Sequence, residues 1–486
     1  MSGFPALVAI DLGAESCRVS LLRWQVDEAR ISMVRRFENS PQDCGTAGWR
    51  WNLDRICKEL EAGLRSCAEL APEGIASIGV TGWAVDYVRL DDSGKPLGLP
   101  FCYRDERNLS AMEEVHGIIP AEMLYMRTGV QVQPINTIYQ IYADRRAGIP
   151  DSAPWVNLPE YILYWLGGPR IAEYTNATHT ALVDPETRGW AAEIFEVVGM
   201  DLSAAPEIVS PGTMLGSLRE DLRRLPSFAE TQLIAPACHD TASAIAGIPE
   251  SPGNWAYISS GTWSLVGMPL AMSLRTADAF ARGFTNLGAA DGGVLFHRGI
   301  PGMWLLRQCM HRWGANRAWS LADLIVAARR LPAPGELLDL DDPALLPPGD
   351  MTARINAQRT RRDLEQLPGG CESAPEYANL IFHSLAGRYG SLLSEIEQMT
   401  GCRPHHICVV GGGSQNEYLN TLTSQATGLP LQRCAVESST LGNFALQWAR
   451  IEQDSGSLSP QLIADKVSAL AAVQVDSPQQ RRKERE

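Results

Sequence analysis

Near its start the chain reads Val8-Ala9-Ile10-Asp11-Leu12-Gly13-Ala14-Glu15-Ser16-Cys17-Arg18-Val19-Ser20-Leu21-Leu22. An apolar run reaches one carboxylate, turns through small residues and returns as a second run, which is the pattern of a β-hairpin. A turn of small residues can present backbone N–H groups to an anion, and an acid beside it can hold a metal. This stretch therefore predicts either a phosphate-binding hairpin or a hairpin with a structural role alone.

A similar pattern recurs about half a chain later, in Trp255-Ala256-Tyr257-Ile258-Ser259-Ser260-Gly261-Thr262-Trp263-Ser264-Leu265-Val266, with hydroxyl groups in place of the acid. The recurrence predicts two similar domains that face each other. A chain of 486 residues is also too long for a single core and fits two domains. A nucleotide polyphosphate with Mg²⁺ is the simplest ligand that would use both turns.

The composition is that of an ordinary globular enzyme, with 45% hydrophobic and 20% charged residues. A net charge of −14 argues against nucleic acid as a partner, because the electrostatic interaction would be repulsive. No segment approaches the roughly 20 apolar residues of a membrane helix. Eleven cysteines lie scattered without C-x-x-C pairs, as in a reducing compartment. We expect a cytoplasmic protein without a membrane partner.

Periodicity and turn residues predict the elements that surround these hairpins. The predicted strands cover residues 8–24, 31–39, 76–81, 85–90, 233–236 and 406–410. The turn Asp91-Asp92-Ser93-Gly94 is expected to close the strand 85–90 into a hairpin. The predicted helices include residues 53–68 and 375–399, and the aromatic-rich residues 155–165 are expected to pack in a core.

Asp240 follows the predicted strand 233–236 and stands just before a helix start in Ala237-Cys238-His239-Asp240-Thr241-Ala242. A carboxylate there can accept the proton of a substrate hydroxyl while that oxygen attacks a γ-phosphoryl group. The alternative is that Asp240 only caps the helix.

A glycine loop, Gly411-Gly412-Gly413-Ser414-Gln415-Asn416, leaves the strand 406–410. Glycine lets a ring or a phosphate approach the backbone closely. The loop lacks the spacing of a P-loop or of a dinucleotide fingerprint, which disfavours Rossmann-type NAD binding.

The order of these motifs resembles the FGGY carbohydrate kinases of the actin and sugar-kinase superfamily, and within it most closely the L-rhamnulokinases. The similarity runs from Val8 to about Ala449. It is carried by Asp11-Leu12-Gly13-Ala14, Gly82-Trp83-Ala84-Val85-Asp86-Tyr87, Tyr103-Arg104-Asp105, Asn136-Thr137-Ile138-Tyr139-Gln140, Glu173-Tyr174-Thr175-Asn176-Ala177-Thr178, His239-Asp240-Thr241-Ala242-Ser243-Ala244, Ser259-Ser260-Gly261-Thr262-Trp263-Ser264 and the glycine loop.

The resemblance implies an α/β, two-domain actin-like (ribonuclease H-like) fold with an interdomain active-site cleft. We expect an N-terminal sugar-binding domain over residues 1–247, a C-terminal nucleotide-binding domain over 248–470 and a tail over 471–486.

The resemblance also implies roles for single residues. Asp240 matches the catalytic base and Asp11 the acid near Mg²⁺. The expected sugar contacts are Trp83, Ala84, Asp86, Thr175, Asn176, His239 and Thr241. The expected nucleotide contacts are Gly13, Ala14, Glu15, Ser16, Cys17, Arg18, Gly261, Thr262, Gly299, Arg307, Gly411, Gly412, Gln415 and Asn416.

The implied reaction is ATP-dependent phosphorylation of L-rhamnulose at the 1-hydroxyl, with Mg²⁺ as cofactor, in a monomer or homodimer. A second reading keeps the kinase and changes the ketose, for example to L-fuculose or L-xylulose. A third makes the chain a catalytically weakened sugar- and nucleotide-binding regulator. It rests on departures from the family pattern at Cys17, Thr81 and Gly299, of which Cys17 is expected to crowd the phosphates. Ala84 and Arg307 also depart from that pattern.

Overall fold

The computed structural model describes residues 5–25, 28–250, 253–314, 319–471, 473 and 475–476. The chain divides into two compact units. The first comprises Met1–Pro252, Leu270–Leu295 and Ser438–Glu486, and the second comprises Gly253–Pro269 and Phe296–Glu437. The division expected from the sequence at residue 247 stays a prediction. Most of the predicted tail, residues 471–486, lies outside the described residues.

The first unit is built on a seven-stranded mixed sheet. In spatial order its strands are Thr213–Ser217, Gln232–Ala235, Ile75–Gly82, Ala6–Leu12, Ser16–Gln25, Glu28–Glu38 and Val475–Asp476. Every residue of Ala6–Leu12 is buried, as expected for the central strand of a sheet that is covered on both faces. This strand pairs antiparallel with Ser16–Gln25, which confirms the predicted hairpin, and parallel with Ile75–Gly82. Gln232–Ala235 is also parallel to Ile75–Gly82.

Helices and short strands complete the first unit. The helix Leu53–Leu70 buries its residues at helical spacing and begins at Asn52, whose side chain accepts the N–H of Arg55. The other helices of this unit are Arg107–Ile118, Ala121–Thr128, Thr137–Asp144, Leu158–Trp165, Tyr174–Ala177, Ala192–Val197, Glu220–Arg223, Asp240–Ala246, Ala277–Ala281, Ser438–Glu452 and Pro460–Ala471. Its short strands are Gln42–Asp43, Trp49–Arg50, Tyr87–Arg89, Trp155–Asn157, Ile171–Glu173, Val183–Asp184, Gly189–Trp190, Glu207–Val209 and Thr285–Gly288.

The second unit repeats the same strand order. Its strands lie in the order Val294–Pro301, Trp263–Leu270, Ala256–Ser260, Ile407–Val410 and Leu431–Arg433. Ala256–Ser260 pairs antiparallel with Trp263–Leu270 and parallel with Ile407–Val410, so the sequence repeat corresponds to a repeated topology. The helices are Trp304–Trp313, Leu321–Ala328, Met351–Arg361, Ala374–Thr400 and Glu417–Thr427.

The hairpin predicted at the turn 91–94 is confirmed in part, because the N–H of Asp91 donates to Lys95 O and that of Leu97 to Arg89 O. The strand itself covers only Tyr87–Arg89, and its ladder partner is the antiparallel strand Trp155–Asn157. A single bridge joins Leu90 and Pro96 across that turn. Within the described part of the chain, no helix is long and apolar enough to cross a membrane.

Candidate active site

The candidate site of the first unit lies at one edge of its sheet. Because Ala6–Leu12, Ile75–Gly82 and Gln232–Ala235 are parallel, their carboxyl ends meet at the same edge. Backbone hydrogen bonds also join the segments that follow these strands. The N–H of Trp83 donates to Leu12 O at 3.1 Å, and that of Gly82 donates to Cys238 O at 2.8 Å. The three segments that the sequence singled out for metal, sugar and base are therefore brought together.

Asp11 is held by two donors from distant parts of the chain. Its Oδ2 accepts a hydrogen bond from Arg18 Nη1 at 3.2 Å and from Ser439 Oγ at 2.9 Å. The side chain is only 8% exposed. The carboxylate is thus fixed beside the phosphate-binding candidate turn, with one cation in contact.

The turn of the first hairpin is tightly built. The N–H of Gly13 donates to Ser16 O, and a Cβ on Gly13 would lie 2.5 Å from that oxygen, so only glycine fits. Asn39 secures the turn from the neighbouring strand end, because its Nδ2 donates to Gly13 O and its N–H to Glu15 O. Ala14 is half-buried, Glu15 is exposed and Ser16 is half-buried.

The expectation that Cys17 crowds the phosphates is wrong. Cys17 lies within the strand Ser16–Gln25, is fully buried and belongs to the hydrophobic core of the first unit. It is not among the residues with positive φ. Its side chain therefore packs away from the open side of the turn, and burial with the nearby charge of Asp11 raises the pKa of its thiol to about 12.

Asp240 is the first residue of the helix Asp240–Ala246, and the capping residue is His239. The alternative that Asp240 only caps this helix is therefore wrong. Its side chain remains 36% exposed. The burial of its surroundings and the charge of Asp11 raise the pKa of Asp240 from 3.8 to about 7, while Thr241 and Arg18 oppose the rise. Water reaches the exposed part of the carboxylate and opposes the effect of burial.

A pair of histidines stands behind Asp240. His239 Nδ1 accepts the N–H of Ala242 at 3.4 Å and lies 3.0 Å from His179 Nε2. Because a backbone N–H can only donate, neutral His239 carries its proton on Nε2, which lies 3.3 Å from Asp240 Oδ1. With Nδ1 unprotonated, its one lone pair faces both the Ala242 N–H and His179 Nε2, so a hydrogen bond between the two rings has His179 as its donor. His239 Nε2 lies beside the carboxylate of Asp240 on one side.

Trp83 and Asp86, two residues of the predicted sugar wall, are joined in the structure by Trp51. The indole N–H groups of Trp51 and Trp83 both donate to Asp86 Oδ2, at 2.5 and 2.8 Å, and their rings lie 4.5 Å apart. Burial raises the pKa of Asp86 to about 7, against the effect of these donors. Asp86 is fully buried and Ala84 is 8% exposed. Asp86 thus orients the two indoles from beneath the wall.

Val85 has φ of 72°, a conformation that is costly for a β-branched residue. Its carbonyl oxygen accepts hydrogen bonds from Thr137 Oγ1 at 2.8 Å and from Gln140 Nε2 at 3.1 Å. The surrounding helix therefore holds the strained backbone of the wall in place.

Thr175 and Asn176 lie beneath the same wall and are fully buried. Asn176 Nδ2 donates to Glu160 at 2.7 Å, and Thr175 Oγ1 donates to Glu173 at 2.5 Å. Thr175 Oγ1 also accepts the N–H of His239 at 3.3 Å. These residues support His239 from below, and Thr241 Oγ1 donates to Asp240 at 3.2 Å.

The second unit contains the predicted hydroxyl turn. The N–H of Gly302 and the N–H of Trp304 both donate to Thr262 O, and the N–H of Met303 donates to Gly261 O. Arg307 Nη1 donates to Thr262 Oγ1 at 2.9 Å. The start of the helix Trp304–Trp313 thus packs on the turn, and Arg307 places a cation beside its hydroxyl group.

The glycine loop also lies in the second unit. Gly411 has φ of 82°, and a Cβ there would lie 2.7 Å from Ser260 O. Gly412 faces open space and Gln415 is exposed, whereas Asn416 is buried and caps the helix Glu417–Thr427. Gly299 is exposed on the strand Val294–Pro301.

Sequence reasoning missed four residues of the first unit's site. Asn39, Trp51, His179 and Ser439 each contact a predicted site residue through a side chain. Ser439 lies in the stretch Glu437-Ser438-Ser439-Thr440, which follows the glycine loop along the chain. Asn39 and Trp51 lie outside the motifs. His179 directly follows the motif that ends at Thr178.

The fold and the site define a phosphotransferase of the sugar-kinase type, with an acid at a phosphate turn and a second acid at a helix start. The family model "FGGY family of carbohydrate kinases, N-terminal domain" matches residues 6–247, and the corresponding C-terminal model matches residues 256–450. The chain belongs to the FGGY family of carbohydrate kinases and is a sugar kinase, with a sugar and ATP as its substrates.

Curated relatives agree with this assignment. A rhamnulokinase of Enterococcus faecalis is 35% identical over 448 residues, which cover 90% of this chain and 88% of the relative. A rhamnulokinase of Halalkalibacterium halodurans is 33% identical over 476 residues, covering 96% and 99%.

Solved structures show the same fold at low identity. Xylulose kinase from Lactobacillus acidophilus superposes with a TM-score of 0.76 at 14% identity, covering 96% of this chain and 92% of that one. Plasmodium falciparum glycerol kinase with ADP has a TM-score of 0.74 at 15% identity, covering 99% and 96%. The actin-like sugar-kinase fold expected from the motifs is confirmed.

Proposed function

We propose that this kinase transfers the γ-phosphoryl group of ATP to the 1-hydroxyl of L-rhamnulose, which yields L-rhamnulose 1-phosphate and ADP. The observation that carries the proposal is the carboxylate of Asp240. It is partly exposed, has a raised pKa and lies at the sheet edge that also holds Asp11 and the phosphate turn. Relatives that are 33–35% identical and named rhamnulokinase support the choice of sugar.

Asp240 acts as the general base. It accepts the proton of the sugar hydroxyl as the hydroxyl oxygen forms a bond to the γ-phosphorus, and the bond from that phosphorus to the bridging β–γ oxygen breaks. ADP leaves with the electron pair of that bond. His239 Nε2 lies 3.3 Å from Asp240 Oδ1, on one side of the carboxylate. A base with a pKa near 7 is well matched to neutral pH.

The residues around Asp11 fit a magnesium ion. Asp11 Oδ2 is taken by Arg18 and Ser439, which leaves Oδ1 as a carboxylate ligand. Magnesium is usually bound by one or two carboxylates, with phosphate oxygens and waters completing its shell. When bound, the ion would neutralise phosphate charge. It would also relieve the repulsion from Asp11 that raises the pKa of Asp240.

The remaining assignments belong to the same proposal. The residues that we assign to phosphate binding are Gly13, Ala14, Glu15, Ser16, Arg18 and the backbone of Cys17. Those that we assign to nucleotide binding are Gly261, Thr262, Gly299, Arg307, Gly411, Gly412, Gln415 and Asn416. Trp83 is packed in the core with 6% of its surface exposed, and we assign that exposed part to the sugar, with Ala84, Asp86, Thr175, Asn176, His239 and Thr241 around or beneath it. Eleven free thiols agree with a cytoplasmic location. Sedimentation would distinguish a monomer from a homodimer.

The substitution Asp240→Asn tests the catalytic role. It removes the proton acceptor at nearly constant volume, so kcat should fall by about two or more orders of magnitude while the sugar still binds. Wild-type activity should also fall below pH 7, because protonation of Asp240 removes the base. Near-normal turnover by the variant would refute the assigned role.

The sugar is tested by coupled ADP release with L-rhamnulose, L-fuculose, L-xylulose, L-ribulose, D-fructose and glycerol. We expect the highest kcat/KM for L-rhamnulose, since the wall of Trp83 suits a methyl-bearing ketose and one polar contact is worth about 1–3 kcal/mol. If glycerol or a pentulose has the highest kcat/KM instead, the assignment of L-rhamnulose is wrong, and the kinase class is unaffected.

A further inference from the structure

A cleft of about 400 Å³ lies in the first unit, and none of the residues assigned to the kinase site lines it. Its lining includes Arg50, Arg89, Phe101 and Asp144, and we refer to it as the arginine cleft. Leu97 and Leu99 add apolar surface to it.

Cationic groups outnumber anionic groups at this cleft. Asp144 is the one carboxylate among the described lining residues, and it is only 1% exposed. Its carboxylate accepts hydrogen bonds from Arg89 Nε at 2.7 Å, from Arg107 Nη1 at 2.7 Å and from Tyr87 Oη at 2.6 Å. One buried carboxylate therefore balances two guanidinium groups, before Arg50 is counted.

Buried donors of this cluster remain without acceptors. The side chain of Arg89 is 5% exposed, and its Nη2 has no hydrogen-bond partner. Arg107 Nε and Nη2, behind the cleft, also lack partners. The next nearest acid, Asp105, is engaged by the backbone N–H groups of Trp49 and Arg107. Arg89 Nη1 also donates to Ala153 O at 2.6 Å, so the nitrogen atoms left without acceptors are Arg89 Nη2 and Arg107 Nε and Nη2. Burial of unpaired N–H groups is costly, which favours an added anion.

Arg50 stands at the more open part of the cleft and is half-buried. Its guanidinium lies 3.1 Å from the centre of the Phe101 ring, and that of Arg107 lies 3.3 Å from the same centre. Burial and the positive charge of Arg107 lower the pKa of Arg50. Arg50 Nε and Nη1 are bonded to carbonyl oxygens, which orients the group.

We propose that the arginine cleft binds a small organic anion whose phosphate or carboxylate group meets Arg50 and the charge of Arg89. The two faces of Phe101 are covered by Arg50 and Arg107, so the carbon body of this anion packs on the leucines of the rim, Leu97 and Leu99. Guanidinium groups recognise such oxyanions through paired hydrogen bonds. The site is separate from the proposed phosphoryl transfer, and its test does not depend on that function.

Isothermal titration calorimetry of the full chain with phenyl phosphate, benzoate and inorganic phosphate tests the proposal. Arg50→Gln removes the charge and should weaken binding of phenyl phosphate or benzoate by about tenfold or more, the loss expected for one charge-assisted hydrogen bond. Arg50→Lys keeps the charge and should retain most of the affinity. Arg65→Gln is the matched control, since Arg65 lies on an exposed helix face beside Glu61.

The proposal is supported if either organic probe binds more tightly than inorganic phosphate and if, among the three variants, only Arg50→Gln weakens that binding. Equal affinity for inorganic phosphate overturns the organic part of it. Identical titrations of the wild type and Arg50→Gln overturn the site. So does an equal loss in the Arg65 control, because it would show a general effect of net charge.

Discussion

Glu160 gives a sharp test of the buried charges in the first unit. It is fully buried, and burial together with the charge of Glu173 raises its pKa from 4.5 to about 8. The folded state therefore holds a proton that the unfolded state releases above its own pKa. Between pH 4.5 and 8 the contribution of this carboxyl to stability declines as pH rises. We predict that Glu160→Gln removes this decline.

A glutamine can keep both hydrogen bonds that Glu160 makes. Glu160 accepts the N–H of Glu173 at 3.0 Å and Asn176 Nδ2 at 2.7 Å. Asn176 Oδ1 has no hydrogen-bond partner, so a rotated Asn176 amide can accept from the new glutamine. One proton difference corresponds to about 1.4 kcal/mol per pH unit. Between pH 5.5 and 7.5 the variant should therefore gain up to about 3 kcal/mol relative to the wild type.

Urea unfolding of both proteins at pH 5.5, 6.5 and 7.5 measures this difference. Glu220→Gln is the control, because the Glu220 side chain is 75% exposed and should leave the pH dependence unchanged. Parallel stability curves for the wild type and Glu160→Gln would refute the reasoning, since they would show that Glu160 is ionised in the fold at all three pH values.

Three further outcomes are expected. Asp86→Ala leaves two buried indole N–H groups unpaired, which should cost about 2–5 kcal/mol in urea unfolding and raise the KM of the sugar. His179→Ala should lower kcat with the KM of ATP unchanged, whereas His179→Gln, which keeps an N–H donor, should restore much of the rate. Gly411→Ala should cost about 1–2 kcal/mol or more and raise the KM of ATP, because its φ is 82°; Gly412→Ala, in open space, should have little effect. Equal effects of the two glycine variants would contradict the last assignment.

The strand pattern was predictable because each central strand has a local signature. The residues before Asp11 and those before His239 form apolar runs that end in small or polar residues, a pattern that predicts buried strands. Because these strands are parallel, their carboxyl ends meet at one edge of the sheet. The repeat of the hairpin likewise predicted the repeated strand order. Local apolar patterning was sufficient wherever one segment supplies the whole element.

Contacts between distant segments were not predictable. Ser439 reaches Asp11 across 428 residues, and no local pattern records that pairing. Val85 was predicted to begin a strand because it is β-branched, yet hydrogen bonds from Thr137 and Gln140 hold its backbone at positive φ. Cys17 was misjudged for a related reason, since the core selects the face to which its side chain points.

The return of the chain to the first unit bears on its synthesis. The helix Ser438–Glu452 belongs to that unit, where Gln447 Nε2 donates to Val8 O at 3.0 Å and Gln447 Oε1 accepts from Ser77 at 2.6 Å. On the ribosome, the central strand emerges first and its covering helix near the end. A partly translated chain therefore leaves that strand uncovered and Asp11 without Ser439. The first unit can complete its fold only after synthesis has passed the second, so premature termination yields no finished first unit.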